Sequence, residues 1–186
     1  MKKVLLFVLL CFIAFTLDAQ RCAVLEFKAG VGVSQADVDG ISAMKKGEML
    51  PSVPAPAGYV DLGLPSGTLW KDKNENGFYD YDAAVRSFGS KLPNKEQLEE
   101  LKNSCQWTWT GSGYKVTGPN GNSIALPAAG FRDGTSVYLV GTYGDYWSST
   151  PSGSDYAYSL YFDGSYLYMD YYFRDYGLSV RLVAEE

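Results

Sequence analysis

Two turn signals in the second half of the chain constrain its fold most strongly. Asn120-Gly121 separates KVT from SIAL, and Asp163-Gly164 separates SLYF from SYLYM. Because Asn-Gly and Asp-Gly adopt the backbone angles of a tight hairpin turn, alternating apolar residues on both sides of such a pair predict antiparallel strands. The sequence therefore predicts two β-hairpins, followed by a last strand, SVRLV, at 179–183.

Two short helices are predicted before these hairpins. The first covers residues 80–88, with Val85 on its apolar side. The second covers residues 94–105, where Asn94 and Gln97 have the spacing of a capping box. Helices followed by many short strands, without regular alternation of the two, are typical of the α+β class.

The first 19 residues have the pattern of an export signal. Two lysines precede an apolar run over residues 4–17, and Ala19 is a small residue placed for cleavage. The run is shorter than the ~20 apolar residues of a membrane-spanning helix, so we expect no membrane span and a periplasmic, cell-surface or secreted protein. A strand-helix segment and a proline-rich linker are predicted over 20–57, and a ligand-binding domain over 58–186.

Composition excludes several classes of function. The 186 residues include no histidine, which removes Ser-His-Asp nucleophiles and histidine-ligated zinc. The net charge of −5 provides no basic surface for nucleic acid. Cys22 and Cys105 follow the export signal, and the sequence does not fix whether they pair. Cys105 falls on the apolar face of the second predicted helix, which favours a packed structural thiol.

One stretch partly matches a calcium-binding loop. Residues 72–82 carry oxygen-bearing side chains at alternate positions and a glycine, Gly77, at the turn. The twelfth position, an acid in such loops, is Ala83. The favoured interpretation is a polar turn that leads into a helix capped by Asp80. We therefore predict no metal site, no cofactor and no catalytic residue.

Several motifs of the chain together resemble one family. They are GYVDLGLPSGTLW, KLPNKEQLEEL, SIALPAAGFR, YWSST and SVRLV. They are similar to exported bacterial domains of the C-type lectin fold, in the formylglycine-generating-enzyme-like subgroup found in Fibrobacter and Bacteroides genomes. The resemblance implies a C-type lectin-like fold over 58–186, with the two ends of the domain close together and a ligand surface on the C-terminal strands.

The same resemblance bears on enzymatic activity and on the N-terminal segment. An oxidase of the formylglycine-generating type needs a pair of cysteines in the domain, and only Cys105 lies within it, so we expect no enzymatic activity. Near the N-terminus, AVLEFKAGVGVSQADVDGIS resembles the opening of curli-secretion (CsgG-like) domains over about twenty-five residues. We assign no function to that segment.

Tyrosine is concentrated near the C-terminus, where it makes up nine of the 31 residues from Tyr146 to Tyr176. Because alternate side chains of a strand lie on opposite faces, a core set alternates with a set of phenols and carboxylates. A dry interior seldom supplies partners for so many phenols, and an exposed aromatic patch usually marks a partner surface. The predicted core set is Ala157, Leu160, Phe162, Leu167 and Met169.

A second resemblance extends this interpretation. Residues from about 145 to 183 resemble the variable region of proteins that retroelements diversify through adenine-directed mutagenesis, in which Asn codons are rewritten to Tyr, Asp, Ser or Phe. By this resemblance, Ala157, Leu160, Phe162, Met169, Arg174, Gly177 and Arg181 form an invariant scaffold. The variable ligand contacts would be Tyr156, Tyr158, Ser159, Tyr161, Asp163, Tyr166, Tyr168, Asp170, Tyr171, Tyr172, Phe173, Asp175 and Tyr176.

The sequence-based hypothesis is a non-enzymatic module that binds an unknown protein or glycan ligand at a cell or phage surface. Aromatic faces also stack on sugar rings, so a glycan-binding adhesin of fixed specificity is the main alternative. A third possibility is a subunit of a surface assembly, with its tyrosines buried against a neighbour.

Overall fold

Short strands dominate residues 55–185, which are the part of the chain that the computed structural model describes. Within this part the helices are α1 (Tyr81–Phe88) and α2 (Lys95–Ser104), with a 3-10 turn at Gly89–Lys91. The predicted export signal, the strand-helix segment and most of the linker lie outside the described residues. The strands are β1 Tyr59–Asp61, β2 Leu69–Lys71, β3 Gln106–Trp109, β4 Gly113–Thr117, β5 Ser123–Pro127, β6 Phe131–Asp133, β7 Ser136–Tyr138, β8 Gly144–Ser152, β9 Tyr156–Phe162, β10 Leu167–Phe173 and β11 Val183–Ala184.

Both predicted hairpins are confirmed. Strand β4 pairs antiparallel with β5, and β9 pairs antiparallel with β10. The predicted last strand at 179–183 is wrong in its bounds, because only Val183 and Ala184 join a regular strand. Ser179 instead exchanges single backbone hydrogen bonds with β8, accepting from Trp147 and donating to Asp145.

Both helices begin where the cap residues predict. The Asp80 side chain accepts from the backbone of Ala83 at the start of α1. At α2, the capping box of Asn94 and Gln97 is complete in both directions. The apolar side assigned to α1 is wrong at Val85, which is exposed, because the helix turns Ala84 rather than Val85 toward the core.

The described strands form four antiparallel sheets. Three are three-stranded, with the orders β1-β2-β11, β10-β9-β8 and β3-β4-β5, and the fourth is the β6-β7 hairpin. Strand β2 lies between the first and the last strand of the described residues. This architecture of small antiparallel sheets with two short helices is consistent with the α+β class. Neither helix of the described residues is long and apolar enough to cross a membrane.

Two apolar clusters pack on opposite faces of the β8-β9-β10 sheet. Leu160 and Phe162 of β9 belong to the cluster that includes residues of α2, β4 and β5. Trp147 and Ala157 belong to the other cluster, with residues of α1 and of the C-terminal segment. Packing is tight enough to require glycine at Gly144, where an added Cβ would lie 2.1 Å from the Phe162 ring. The sheet therefore serves as a platform that is held from both sides.

Arg181 is a buried cation that ties three parts of the domain together. Its guanidinium donates to the side-chain oxygen of Asn74 and to the backbone carbonyls of Lys71 and Ala125. Asn74 in turn donates to the hydroxyl of Tyr146. Charge-assisted hydrogen bonds of this kind compensate for the desolvation of the guanidinium. Arg181 is thus held inside the domain, and its invariance stays a prediction.

Candidate ligand-binding surface

The pairing register shows how β8, β9 and β10 distribute the predicted contact residues. Directly paired residues of an antiparallel sheet lie on the same face. Tyr161 pairs with Asp145 on β8 and with Tyr168 on β10, while Ser159 pairs with Asp170. These side chains therefore share one face, which we call the outer face.

The predicted contacts do not all lie on that face. Tyr158 pairs with Tyr171, and Tyr156 pairs with Phe173, so these four belong to the face that carries Leu160 and Phe162. The predicted strand contacts are therefore divided between the two faces of the sheet. The reason is that the predicted contacts on β10 include consecutive residues, such as Tyr171 and Tyr172. Consecutive residues of a strand point to opposite sides of the sheet.

Eleven of the thirteen predicted contacts are exposed or partly exposed. The side chains of Tyr166, Tyr168, Tyr171 and Phe173 are 65%, 44%, 56% and 48% exposed. No residue of β10 is fully buried, because β10 lies at an edge of its sheet. Asp175 is also exposed, and six further predicted contacts are partly exposed: Tyr156, Tyr158, Asp163, Asp170, Tyr172 and Tyr176.

Two predicted contacts are buried, and the expectation of exposure is wrong for them. Ser159 is 0% exposed, because it lies in the middle of the central strand β9. Tyr161 is 6% exposed, with its ring packed 4.9 Å from that of Tyr168 and 5.3 Å from that of Tyr143. Its hydroxyl donates to the carboxylate of Asp163. Tyr161 thus supports the exposed ring of Tyr168 from below.

A cavity of about 350 Å³ lies among the aromatic residues at the end of β10. Six of its seven lining residues are predicted contacts, and the seventh is Phe131 on β6. The rings touch one another closely, with centroids 4.4 Å apart for Tyr156 and Phe173 and 5.7 Å apart for Phe131 and Tyr176. An aromatic cavity with a carboxylate, Asp170, in its wall is suited to hold an apolar group that carries a hydrogen-bond donor.

Sequence reasoning missed the part of the surface that the β6-β7 hairpin provides. Val137, Tyr138, Leu139 and Val140 are all exposed, and the ring of Tyr138 stacks on Phe131 at 5.6 Å. The signal was present, since an apolar run of four residues follows Asp133-Gly134 and precedes Gly141. Four consecutive apolar residues next to a turn cannot all face a core.

Asp163 and Arg174, at the two ends of β10, form hydrogen bonds with backbone groups next to the candidate surface. The Asp163 carboxylate accepts from the backbone of Ser165 and Tyr166, and these hydrogen bonds lower the pKa of Asp163. Beyond β10, the guanidinium of Arg174 donates to the carbonyls of Tyr156 and Gly153 and lies 4.8 Å over the ring of Tyr81. Asp163 therefore has a structural role in addition to the ligand contact predicted for it.

A buried carboxylate lies on the outer face. Asp145 is 0% exposed, and neither of its carboxylate oxygens has a hydrogen-bond partner in residues 55–185. Burial, together with the nearby charge of Asp170, raises the pKa of Asp145 to about 8. Burial likewise raises the pKa of the Tyr172 phenol, and the charge of Asp145 adds to that effect. Nothing in the sequence indicated that Asp145 would be buried.

The segment that resembles a calcium loop has other partners. Asn74 accepts from Arg181, and Asp80 caps α1. Among the described residues, no group of three or more acidic or cysteine side chains is placed to hold a metal ion. The Cys105 thiol is free and half-buried at the end of α2, and burial raises its pKa to about 11.

Comparison with known proteins gives one match. The model of a family described as a domain of unknown function (DUF8237) matches residues 93–183. The matched span begins just before α2 and includes β3 to β10, with the whole candidate surface. No curated protein and no solved structure matches the chain.

Proposed function

We propose that this chain is an exported, non-enzymatic binding protein that displays a diversified surface rich in Tyr, Asp and Ser on a C-type lectin-like scaffold. The observation that carries this proposal is the exposure of four aromatic rings on β10 and its preceding turn: Tyr166, Tyr168, Tyr171 and Phe173. Tyr168 lies on the outer face, and Tyr171 and Phe173 lie on the opposite face, so the exposed rings cover both sides of this edge strand. Exposed aromatic surface of this extent is unusual on a protein that binds nothing.

The scaffold part of the proposal rests on the arrangement of the strand ends. Strand β1, near the start of the domain, and strand β11, at its end, both flank β2 in a single sheet. The two ends of the domain therefore lie close together, as the resemblance to C-type lectin-like domains implies. The β9-β10 hairpin, in a separate sheet, presents the aromatic residues.

The diversification part rests on the separation of exposed and buried positions. Five of the residues proposed as invariant are buried: Ala157, Leu160, Phe162, Gly177 and Arg181. Most of the proposed variable positions are exposed or partly exposed; among them, Tyr172 and Tyr176 also pack against the apolar cluster that includes Trp147. Tyr, Ser and Asp provide rigid contact area together with adaptable hydrogen bonding, as in antibody binding loops.

A protein ligand is favoured over a glycan by the β6-β7 hairpin. Its Tyr138 adjoins the aromatic cavity by stacking on Phe131, and the exposed Val137, Leu139 and Val140 are neighbours of Tyr138 in the sequence. Sugar rings stack on aromatic faces, whereas exposed aliphatic side chains next to aromatic ones are typical of the apolar centre of a protein interface.

The test is to select partners from a phage-displayed protein library and to measure their affinity for the chain and its variants. Tyr168→Ala and Tyr172→Ala should each weaken binding by about 2 kcal/mol. Lys115→Ala, at an exposed position on β4, is the matched control and should leave affinity unchanged. Both tyrosine variants should still unfold cooperatively; loss of cooperative unfolding in both would show that the two rings belong to the core and would contradict the proposal.

Diversification has its own test, which is deep sequencing of the gene in a population of cells. Substitutions should concentrate at the proposed contact positions and spare residues such as Leu160 and Arg181. Substitutions spread evenly over residues 58–186 would contradict diversification and would favour an adhesin of fixed specificity.

A further inference from the structure

Asp145 is a buried acid that the domain itself does not use. It lies in β8 with no exposed surface, and both of its carboxylate oxygens lack partners in the described residues. A carboxylate removed from water without compensation is costly. Buried polar groups in native proteins are nearly always satisfied, so an unsatisfied one requires an explanation such as a binding role.

A second unsatisfied group lies beside it. Ser159 pairs with Trp147, which is two residues beyond Asp145 on β8, so Ser159 and Asp145 are diagonal neighbours on the outer face. The Ser159 hydroxyl is buried and also has no hydrogen-bond partner in residues 55–185. On its other side, Ser159 pairs with Asp170. The three residues thus form a row of acceptor groups across three neighbouring strands.

The row connects the interior to the aromatic cavity. Asp170 is only partly buried, and it lines the cavity at the end of β10. Tyr168 and Tyr172 are two positions before and after Asp170, so they flank it on the same face. Ser159 and Asp145 are fully buried and do not line the cavity. A group that enters from the cavity would therefore meet Asp170 first and reach the other two only when the flanking ring of Tyr168 or Tyr172 moves aside.

Nearby cations of the chain are engaged elsewhere. The guanidinium of Arg132 donates to the carbonyl of Gly134, and that of Arg174 donates to the carbonyls of Tyr156 and Gly153. No residue of 55–185 forms an ion pair with Asp145 or Asp170, so when both acids are ionised the balancing positive charge would come from a bound molecule. A cation between phenol rings also gains from their negative faces.

We propose that Asp145, Ser159 and Asp170 form a subsite for a basic side chain, lysine or arginine, of the protein ligand. This inference rests on the proposed function, and it adds the charge of the group that the surface recognises. The long alkyl stem of such a side chain would pack among the aromatic rings of the cavity, while its charged head reaches the acceptor row.

Titration of Asp145 supports the subsite and gives it a signature. Burial holds the pKa of Asp145 at about 8, so the free protein carries this acid mainly in its neutral form at pH 7. Pairing with a cation favours the carboxylate, so binding releases a proton, and affinity rises with pH until it levels off above about 8. The other titratable groups around Asp145 are Asp170 and the phenols of Tyr146, Tyr161, Tyr168 and Tyr172. Burial raises the pKa of each of these four phenols.

The experiment selects binders to the full chain from a random peptide library displayed on phage. We expect the selected peptides to share a lysine or arginine, and replacement of that residue by leucine should lower affinity at least about 10-fold. Asp145→Asn should produce a similar loss and abolish the rise of affinity with pH. Asp82→Asn, which removes an exposed carboxylate on α1, is the control of equal charge and should bind as the unchanged chain does.

Further variants and measurements distinguish failure of the subsite from failure of the proposed function. If Asp145→Asn does not fold, Ser159→Ala, which removes only a hydroxyl, should still lower affinity for the basic peptides. Selected peptides without a basic residue, or equal binding to Asp145→Asn, would overturn the subsite and leave the binding surface standing. Displacement of the basic peptides by millimolar Ca²⁺ or Mg²⁺ would also overturn it, in favour of a metal site. A library that yields no binder would contradict the proposed function itself, and the subsite with it.

Discussion

The hairpins β4-β5 and β9-β10 have the same construction and opposite surfaces. Each is antiparallel, turns at an Asx-Gly pair and ends in an edge strand of a three-stranded sheet. In β5, buried Ile124 and Leu126 alternate with small exposed residues. In β10, no residue is fully buried, and the exposed residues are aromatic.

The comparison shows which positions specify the fold and which are available for binding. In both hairpins the turn pair and the inward residues of the first strand determine the register. The outward residues of β5 are small, whereas those of β10 add large aromatic rings to an edge strand. Aromatic rings at the edge of a sheet invite contact with another molecule, which a chain without a partner would avoid.

Side-chain truncation in the two hairpins should give the largest difference in the free energy of unfolding. Leu126→Ala in β5 removes a fully buried side chain and should lower the free energy of unfolding by about 3 kcal/mol. Tyr168→Ala in β10 removes a half-exposed ring and should cost less than about 1 kcal/mol. Urea denaturation of both variants measures the difference; equal losses would mean that the β10 rings are part of the core.

The second contrast concerns Asp145, the buried acid that pairs with Tyr161 of the β9-β10 hairpin. The strands of the β4-β5 hairpin have no buried acid of this kind. Because the pKa of Asp145 is raised to about 8 in the folded protein, its protonated form is favoured by folding. Its contribution to stability is complete below the ordinary aspartate pKa of about 3.9 and is lost as pH rises toward 8. Asp145→Asn should therefore increase stability at pH 8 by on the order of 2 kcal/mol and change it little at pH 4.

Thermal unfolding of the unchanged chain and of Asp145→Asn across this pH range tests the claim. The same increase at pH 4 and pH 8 would show that Asp145 does not titrate in this interval. Asp82→Asn should follow the unchanged chain at both pH values, since Asp82 is exposed on α1.

The smallest expected difference is between the turn residues Asp163 and Asn120, in how the loss of stability on their replacement depends on pH. Asp163→Ala removes the hydrogen bonds that the carboxylate accepts from the backbone of Ser165 and Tyr166 and from the Tyr161 hydroxyl, and it should cost up to about 1 kcal/mol at pH 7. Since these bonds lower the pKa of Asp163, their contribution is present above about pH 4 and disappears as pH falls below it.

Asn120→Ala provides the matched comparison in the other turn. Its side chain donates to the carbonyl of Asp61 and carries no charge, so its loss should be independent of pH. Chemical denaturation at pH 7 and pH 3 separates the two variants. A loss for Asp163→Ala that is equally large at pH 3 would mean that the carboxylate charge does not stabilise the turn.

The local elements of the fold could be predicted because local chemistry determines them. The Asx-Gly pairs fix both hairpins, and the cap residues Asp80 and Asn94 fix the starts of the helices. The bounds of the last strand were not predictable, since Ser179 finds its partners on β8, which is distant in sequence. Val85 was misplaced because the short helix α1 buries only a narrow stripe.

The candidate site could be predicted in composition and only partly in geometry. The tyrosine content of β9 and β10 indicated an exposed surface, and four of its rings are indeed exposed. The burial of Ser159 and Asp145 follows from the position of each residue within its sheet, which no local pattern records. The contribution of Tyr138 was missed because the β6-β7 hairpin meets the surface only through the tertiary contact with Phe131.

The most direct test of a stable platform with replaceable rings is the stability of one quadruple variant. Tyr166, Tyr168, Tyr171 and Phe173 are changed together to serine, and urea unfolding is compared with that of the unchanged chain and of Leu126→Ala. Cooperative unfolding, with a loss no greater than the roughly 3 kcal/mol expected for the single core truncation, is the result that our account predicts. A chain that loses cooperative unfolding would contradict it, because the four rings would then be part of what holds the domain together.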